Sequence, residues 1–414
     1  MKTKLLFVEP PKDYWFLMGE YLPPPTGLLA LAAYVEGRIS DLEMKIIDCQ
    51  AEEKGWDDLR RGIEKYSPSI VLSSGFTCNA YACAKVAEIS KIVDQDIVTI
   101  VGGQHFSFTS EESLIDFPEI DYVVRGEGEE TLTELICTLK GVGKVSDVKG
   151  VSFRHDERII HTEPRPLIAD LDSLPYPAYH LVEENMDRYH FKMMSKKGSR
   201  YMIIEGSRGC SHRCSFCTQW RHWNGLFRTK SAKRIADEME FFNENYGGEF
   251  MWLTDDNFRY DGRAKELWQE LKGRDFKGDL TWFFQARTDE IVKNPEMVAN
   301  LRDVGNNWIL MGVENNSKDV LSNFNKKIRP DDAKNAIKIL NENDIFTQSM
   351  FVIGSPTDTR ESISDLREFS LSLDTGLALY SILTPYPGTD VYEDALKKGL
   401  IEDRNYAHYD MVHA

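Results

Sequence analysis

The chain has 414 residues, 42% of them hydrophobic and 28% charged, with a formal charge of −17 and a pI near 5.1. That length exceeds one ordinary domain and supports two, each able to bury a full core. The acidic balance, with no run of Lys or Arg to form a patch, excludes nucleic acid as a partner, and no apolar stretch of about 18 residues is present to span a membrane.

At the N-terminus the apolar residues 5–8 give way at once to Glu9 and two prolines, which predicts a first strand and not a signal peptide. Short apolar runs then recur at residues 44–49, 70–74, 97–101 and 122–124, each followed by a helix-length segment. Such alternation predicts a parallel sheet with helices on both faces, an α/β Rossmann-like domain over residues 1–148. Its strands end in Ser73-Ser74-Gly75, Gly102-Gly103 and Gly126-Glu127-Gly128, small residues at the carboxyl edge where such sheets bind ligands. The other reading of these glycines is that they serve only tight turns.

Residues 149–163 alternate apolar and polar around His155-Asp156-Glu157, which predicts a hairpin. A stretch bearing Pro164, Pro166, Pro175 and Pro177 follows, so residues 149–199 are expected to form the hairpin and an ordered linker. A second β/α series has strands near residues 201–205, 250–254, 281–285, 308–313, 347–353 and 377–383. Six such units are too few for a closed eight-stranded barrel, so residues 200–390 predict a partial, open (β/α)6 barrel with its site at the carboxyl ends, followed by a short extension over 391–414. That extension leaves little room for a substrate domain, so substrate is expected at an open barrel mouth, with Trp220-Arg221-His222-Trp223-Asn224 and Tyr14-Trp15-Phe16 as candidate lining or ordinary packing.

Seven cysteines, three of them clustered, suit a reducing cytoplasm and a metal site better than a disulfide framework. Cys210, Cys214 and Cys217 lie in Gly209-Cys210-Ser211-His212-Arg213-Cys214-Ser215-Phe216-Cys217, directly after the first strand of the second series. Three thiolates in one short loop can ligate three irons of a 4Fe-4S cubane and leave the fourth iron open for a ligand. A structural zinc closed by His212 or His222 is the alternative. Cys49, Cys78, Cys83 and Cys137 are scattered and fit core thiols.

This Cys-x3-Cys-x-aromatic-Cys loop after a first barrel strand resembles the radical S-adenosylmethionine superfamily. Further matches follow in order: Leu253-Thr254-Asp255-Asp256-Asn257-Phe258, Gln285-Ala286-Arg287, Gly312-Val313-Glu314, Phe351-Val352-Ile353-Gly354-Ser355-Pro356 and Thr384-Pro385-Tyr386-Pro387-Gly388-Thr389. The resemblance implies that Phe216 lies against the adenine of S-adenosylmethionine. It also implies that Asp255, Asp256 and Asn257 contact its amino group and ribose, and that Gln285, Arg287 and Glu314 hold its carboxylate and ribose. Read alone, Asp255-Asp256-Asn257 is equally a helix cap and Arg287 a surface charge.

The front half resembles the cobalamin-binding module of the cobalamin-dependent branch of that superfamily, through Pro24-Pro25-Thr26-Gly27-Leu28-Leu29-Ala30-Leu31-Ala32, Val101-Gly102-Gly103-Gln104-His105, Asp121-Tyr122-Val123-Val124-Arg125-Gly126-Glu127-Gly128-Glu129 and Leu174-Pro175-Tyr176-Pro177. Residues 73–79, with Ser73, Ser74, Gly75, Phe76 and Thr77, are the implied surface beneath the corrin ring. Gly102, Gly103, Gln104, Gly126 and Glu127 are further implied contacts. Where related carriers place a cobalt-ligating histidine, this chain has Asp48-Cys49-Gln50-Ala51-Glu52-Glu53, a departure that suits the radical branch and disfavours a mutase. His105 is placed to ligate cobalt or to bond the cofactor's amide and phosphate rim.

The family resemblance implies a methyltransferase that uses one S-adenosylmethionine to make a 5'-deoxyadenosyl radical and a second to remethylate cobalamin, with an electron donor of flavodoxin or ferredoxin type. The compact two-domain form is similar to archaeal enzymes that methylate a glutamine carbon in methyl-coenzyme M reductase, so a peptide or protein substrate is expected beside small molecules. Ring closure without methyl transfer, as in anaerobic porphyrin cyclases, and a non-enzymatic cofactor sensor are the competing classes.

Overall fold

In the computed structural model, which describes residues 2–12, 20–193 and 198–413, the first apolar run forms β1 (Thr3–Glu9), with Leu5, Leu6, Phe7 and Val8 fully buried. A strand covered on both faces needs no alternation, as in a parallel sheet flanked by helices. There follow a short β2 (Tyr21–Leu22), α1 (Thr26–Glu36), β3 (Leu42–Asp48), α2 (Trp56–Tyr66), β4 (Ile70–Ser74), α3 (Ala80–Val93), β5 (Val98–Gly102), α4 (Gln104–Phe108), α5 (Ser110–Asp116), β6 (Tyr122–Val124) and α6 (Gly128–Leu139). The hairpin β7 (Val151–His155) and β8 (Arg158–His161) turns at Asp156, φ 54°, and adds antiparallel to β6. The sheet order is β3-β1-β4-β5-β6-β7-β8, parallel from β3 to β6. The order reverses between β1 and β4, and ligands of such sheets bind at that switch, beyond the carboxyl ends.

Residues 164–193 pack between the sheets. Tyr189 donates its hydroxyl to Asp48 Oδ2 at 2.9 Å and Arg188 donates to the Ala51 carbonyl at 2.6 Å, fastening the stretch to the loop after β3. Within it β9 (His190–Phe191) pairs antiparallel with β2.

The second sheet begins with β10 (Arg200–Ile204). Then come β11 (Ser207–Arg208), α7 (Gln219–His222), β12 (Arg228–Thr229), α8 (Ala232–Tyr246), β13 (Gly248–Leu253), β14 (Thr281–Arg287), β15 (Asn306–Glu314), β16 (Phe346–Ile353) and β17 (Leu377–Ile382). Strands β10-β13-β14-β15-β16-β17 form an all-parallel sheet in chain order whose ends do not pair, a half-barrel. Alternation divides its side chains. Met202, Ile204, Met251, Leu253, Trp282 and Phe284 meet the helices, while Tyr201, Phe250, Phe283 and Trp308 fill the concave face with Phe191 of β9 and Tyr21 of β2. This aromatic plug, with Phe283 stacked on Trp308 at 3.9 Å, occupies the amino-terminal half of the strands and leaves their carboxyl ends for the site. The exposed edge of β10 is covered by the buried Tyr179, whose hydroxyl donates to the Ile203 carbonyl and accepts from the Ile203 amide, both at 3.3 Å.

Beyond a helix at Asp390–Lys397 the chain crosses back to the first sheet. Tyr406 packs on Tyr81 at 5.9 Å, Tyr81 donates to the Arg404 carbonyl, and the Ile382 amide donates to the Met411 carbonyl at 2.8 Å. Among the described residues no helix is long and apolar enough to cross a membrane.

Candidate active site

The cysteine loop springs from β10 and is clasped at its base where β11 pairs antiparallel with β12. Gly209 opens it at φ 91°, and a Cβ there would run into the Leu226 carbonyl and the Trp223 side chain; only glycine takes that conformation in that space. Its amide donates to Asp256 Oδ2 at 3.1 Å. Neighbouring segments brace the loop: Trp220 Nε1 donates to the Cys214 carbonyl at 3.2 Å, the Ser215 amide to the Phe324 carbonyl at 3.0 Å, and Asn325 to the Arg213 carbonyl at 2.7 Å.

All seven cysteines are free, with Cys214 buried and Cys210 and Cys217 half-buried. Burial pushes the thiols of Cys210 and Cys214 up, and that of Cys217 to about 12, so a bound metal must displace their protons. Among the described residues no three His, Cys, Asp or Glu side chains converge on a single ion. His222 is edge-on to Trp223 at 4.7 Å and to Phe108 of the first domain at 6.1 Å, and burial holds its imidazole down to about 4.

The loop after β13 places Asp255, Asp256 and Asn257 beside the cysteine loop. Asp255 pairs through Oδ2 with Arg263 at 2.5 Å, while its Oδ1 is buried without a partner. Neither amide atom of the buried Asn257 has a partner, nor does Ser207 Oγ. Buried polar atoms are ordinarily bonded, so this set fits a ligand carrying amino, carboxylate and hydroxyl groups, as S-adenosylmethionine does. Burial raises Asp256 to about 7. Gln285 lies in the carboxyl-terminal half of β14 and accepts, at its carbonyl, the Phe258 amide at 2.8 Å. Arg287 is buried, with Nε paired to Asp289 at 2.9 Å and Nη2 donating to the Lys326 carbonyl at 2.9 Å. Glu314, at φ 64°, pairs with the buried Lys326 at 2.5 Å. Phe216 meets Phe324 edge-on at 5.1 Å. Lys326, separated in the chain from the cysteines by β12, β13, β14 and β15, was invisible in the sequence, where Asn325-Lys326-Lys327 looks like any polar turn.

At the carboxyl edge of the first sheet the loops after β4 and β5 nest. A Cβ on Gly103, φ 92°, would lie 2.7 Å from the Gly75 carbonyl and Ser74 Oγ. Ser73 donates to the Cys83 carbonyl at 3.4 Å, and the Gly75 amide to the Gly102 carbonyl at 3.0 Å. Phe76 is 62% exposed, an open apolar side chain beside the buried, unpartnered Asn79 Oδ1; that pairing fits a flat, amide-bearing corrin. Gly126, φ 71°, has open space where a Cβ would stand. His105 is enclosed, its Nδ1 3.4 Å from Thr77 Oγ1 and its ring edge-on to Tyr406 at 4.6 Å, and burial lowers its imidazole to about 4. Asp48 is spent on the Gln50 and Ala51 amides and on Tyr189.

The two edges meet. Gln104 Nε2 of α4 donates to Gln219 Oε1 of α7 at 3.3 Å, and a Cβ on Gly388 would lie 2.5 Å from the Phe108 ring. Glu127 stands at this seam: it accepts from Arg208 at 2.7 Å, from Arg228 at 2.9 Å and from the Ile168 amide at 2.7 Å. Arg208 also pairs with Glu129 at 2.6 Å and Glu205 at 2.9 Å. A cavity of about 400 Å³ adjoins the edge, lined by Lys12, Cys49, Gln50 and Lys54; a larger one of about 590 Å³, lined by Glu130, Glu134, Arg165 and Asp170, lies away from both loops. Tyr14-Trp15-Phe16 lie outside the described residues.

Family descriptions match in both halves: a B12 binding domain over residues 19–136 and the Radical SAM superfamily over residues 204–370. An uncharacterized methyltransferase of Pyrococcus horikoshii is 30% identical over 99% of this chain and 86% of its own length. The anaerobic magnesium-protoporphyrin IX monomethyl ester cyclase of Cereibacter sphaeroides is 27% identical over 92% of this chain, which spans 62% of that relative. The structure of the radical S-adenosylmethionine methyltransferase TsrM from Kitasatospora setae, with cobalamin and a [4Fe-4S] cluster bound, superposes with a TM-score of 0.78 at 18% identity, covering 96% of this chain and 75% of that one.

Proposed function

The chain belongs to the cobalamin-dependent radical S-adenosylmethionine methyltransferase family, and from that premise we propose that it methylates an unactivated carbon. Its cofactors are a 4Fe-4S cluster, S-adenosylmethionine and cobalamin. When bound, the cluster supplies the electron that cleaves one S-adenosylmethionine to a 5'-deoxyadenosyl radical, and cobalamin supplies the methyl group, restored from a second S-adenosylmethionine.

Cys210, Cys214 and Cys217 would hold the cluster. Asp255 and Asn257, with their unpartnered atoms, would take the polar end of S-adenosylmethionine, and Phe216 its adenine. The nested loops at Ser74 and Gly103, with Phe76 exposed between them, would carry the corrin. The observation that carries the reading is the contact of α4 with α7 through Gln104 and Gln219: it turns the edge assigned to cobalamin toward the loop assigned to the cluster, so that a substrate carbon between them meets both and is shielded from water.

Anaerobic protein in a reducing medium, as in the cytoplasm, loaded with iron, sulfide and methylcobalamin, is expected to yield 5'-deoxyadenosine and S-adenosylhomocysteine together. Persistence of deoxyadenosine in Cys214→Ala would refute the cluster assignment. For the substrate we favour a glutamine carbon of methyl-coenzyme M reductase, tested by one-methyl mass gain on peptides of that enzyme's active-site region; no gain on any of them removes that substrate. The similarity to the porphyrin cyclases supports ring closure as a second reading. Label from methyl-labelled S-adenosylmethionine in the product separates the two.

A further inference from the structure

The concave face of the half-barrel is built in rows, because side chains of residues paired across neighbouring parallel strands point the same way. The aromatic row Phe283, Trp308 and Phe346 belongs to the plug. The next row toward the carboxyl ends is Gln285, Leu310, Gln348 and Leu377, and Met350 and Leu379 lie one row further. Gln348 therefore sits on the lumen side, directly above the plug. It is fully buried, its Oε1 has no hydrogen-bond partner, and its Nε2 reaches only Met350 Sδ, at 3.6 Å. A thioether is a weak acceptor, so both ends of this amide are undersupplied. The same strand supplies the contrast: on its helix-facing side the buried hydroxyls of Thr347 and Ser349 bond Thr375 Oγ1 at 3.2 and 2.9 Å. A buried amide left in this state destabilises the chain that carries it, and a ligand that completes it removes the penalty.

We propose that Gln348 is the specificity-determining residue for a substrate that bears a primary carboxamide on an aliphatic chain. Such a group donates one N–H to Gln348 Oε1 and accepts Gln348 Nε2–H at its own carbonyl, so one planar pair satisfies both ends. A carboxylate has no hydrogen to give and sets oxygen against Oε1, a hydroxyl completes one end at a time, and a dialkylated amide has lost its donor. The chain beyond the amide lies along Met350, Leu377 and Leu379, which are apolar and half-buried. The proposal rests on the reading of the barrel lumen as the place where a carbon is methylated. Adenine offers the same donor and acceptor edge, but Phe216, assigned to it, packs on the cluster that contains Val352. Val352 is four residues along β16 from Gln348, about 13 Å at the rise of a strand, so S-adenosylmethionine is held well above this row. The other source of the same chemistry is the corrin, whose rim carries carboxamides.

The test uses the full chain, loaded anaerobically with iron, sulfide, S-adenosylmethionine and methylcobalamin, in equilibrium dialysis against radiolabelled hexanamide, hexanoate and N,N-dimethylhexanamide. Hexanamide is expected to bind at least about tenfold more tightly than the other two. Gln348→Met keeps the length of the side chain and removes both undersupplied atoms. It is expected to melt at the same temperature or higher and to lose most of the preference for the amide; Gln348→Leu repeats the test with a branched side chain. A residue that only packs the lumen would not separate stability from selectivity in this way. Equal binding of the three probes by the unaltered chain, or an unchanged preference in both variants, overturns the proposal. If hexanamide binding survives in Gln348→Met while methylcobalamin affinity falls about tenfold, the amide that Gln348 meets is the corrin's, and the assignment to substrate is overturned. Failure of the loaded chain to release 5'-deoxyadenosine with dithionite defeats the functional reading instead, and the dialysis on the same protein still decides the subsite.

Discussion

Arg208 joins the two halves of the molecule at the point where the cysteine loop begins, and replacing it with methionine isolates what that joint contributes. The guanidinium is 5% exposed and faces Glu127, Glu129 and Glu205 at 2.7, 2.6 and 2.9 Å. Glu127 keeps Arg228 and the Ile168 amide, and Glu205 is the more exposed of the three. Glu129, 5% exposed, has no other cation among the described residues. Arg208→Met therefore strands one buried carboxylate, a loss of about 3–5 kcal/mol where a buried pair is broken from one side. Removing the stranded partner as well should restore most of that, because two apolar groups of similar shape need no solvation. Urea unfolding of the apoprotein gives the single variant, Glu129→Leu and the double variant, and their cycle is expected to show a coupling above about 2 kcal/mol. Cobalamin affinity, measured by equilibrium dialysis, should follow the same order, since Glu127 and Gly126 share one loop. A cost below about 1 kcal/mol for Arg208→Met, the value of a solvated pair, or no rescue in the double variant, would show that the seam is not dry and that the reasoning is wrong.

Gly209→Ala imposes φ 91° on a residue with a Cβ and drives that atom into the Leu226 carbonyl; about 1–3 kcal/mol of destabilisation and reduced iron content after reconstitution are expected from thermal unfolding and iron analysis. Glu9 is raised to about 8 by burial and the neighbouring Asp48. The folded chain thus holds a proton that the unfolded chain releases at lower pH, and stability falls as pH rises from the ordinary carboxyl range through 8. Glu9→Gln should remove that slope, so its stability relative to the unaltered chain improves by at least about 1 kcal/mol between pH 5 and pH 9, read from urea midpoints at the two values. Tyr179→Phe deletes the hydroxyl that serves both backbone groups of Ile203, at about 1–3 kcal/mol, and exchange of the Ile203 amide is expected to quicken by about tenfold or more.

What the sequence disclosed and what it withheld follow from range. The strand at residues 5–8, buried on both sides, and the cysteine loop are local patterns, and both stand out from a handful of neighbouring residues. Arg208 with Glu127 spans 81 positions and the Tyr189–Asp48 bond spans 141; no periodicity marks such partners, because each is an ordinary charged or aromatic residue until the fold brings it to its counterpart. For the same reason Glu127 looked like one more member of a glycine loop, whereas its carboxylate is taken up by two arginines and an amide. His105 was conspicuous after two glycines, yet the ring that encloses it, Tyr406, belongs to a stretch expected only as a short extension.

That stretch has a consequence for the order of events during synthesis. Arg404, which receives the Tyr81 hydroxyl, is made 323 residues after Tyr81, so the first sheet leaves the ribosome complete while His105 and Thr77 are still open to solvent. Domains emerging from the ribosome fold as units, the earlier one first. The nascent chain therefore passes through an interval in which its first half is a folded module with an uncovered face, and a large ligand has its widest access to that face before translation ends.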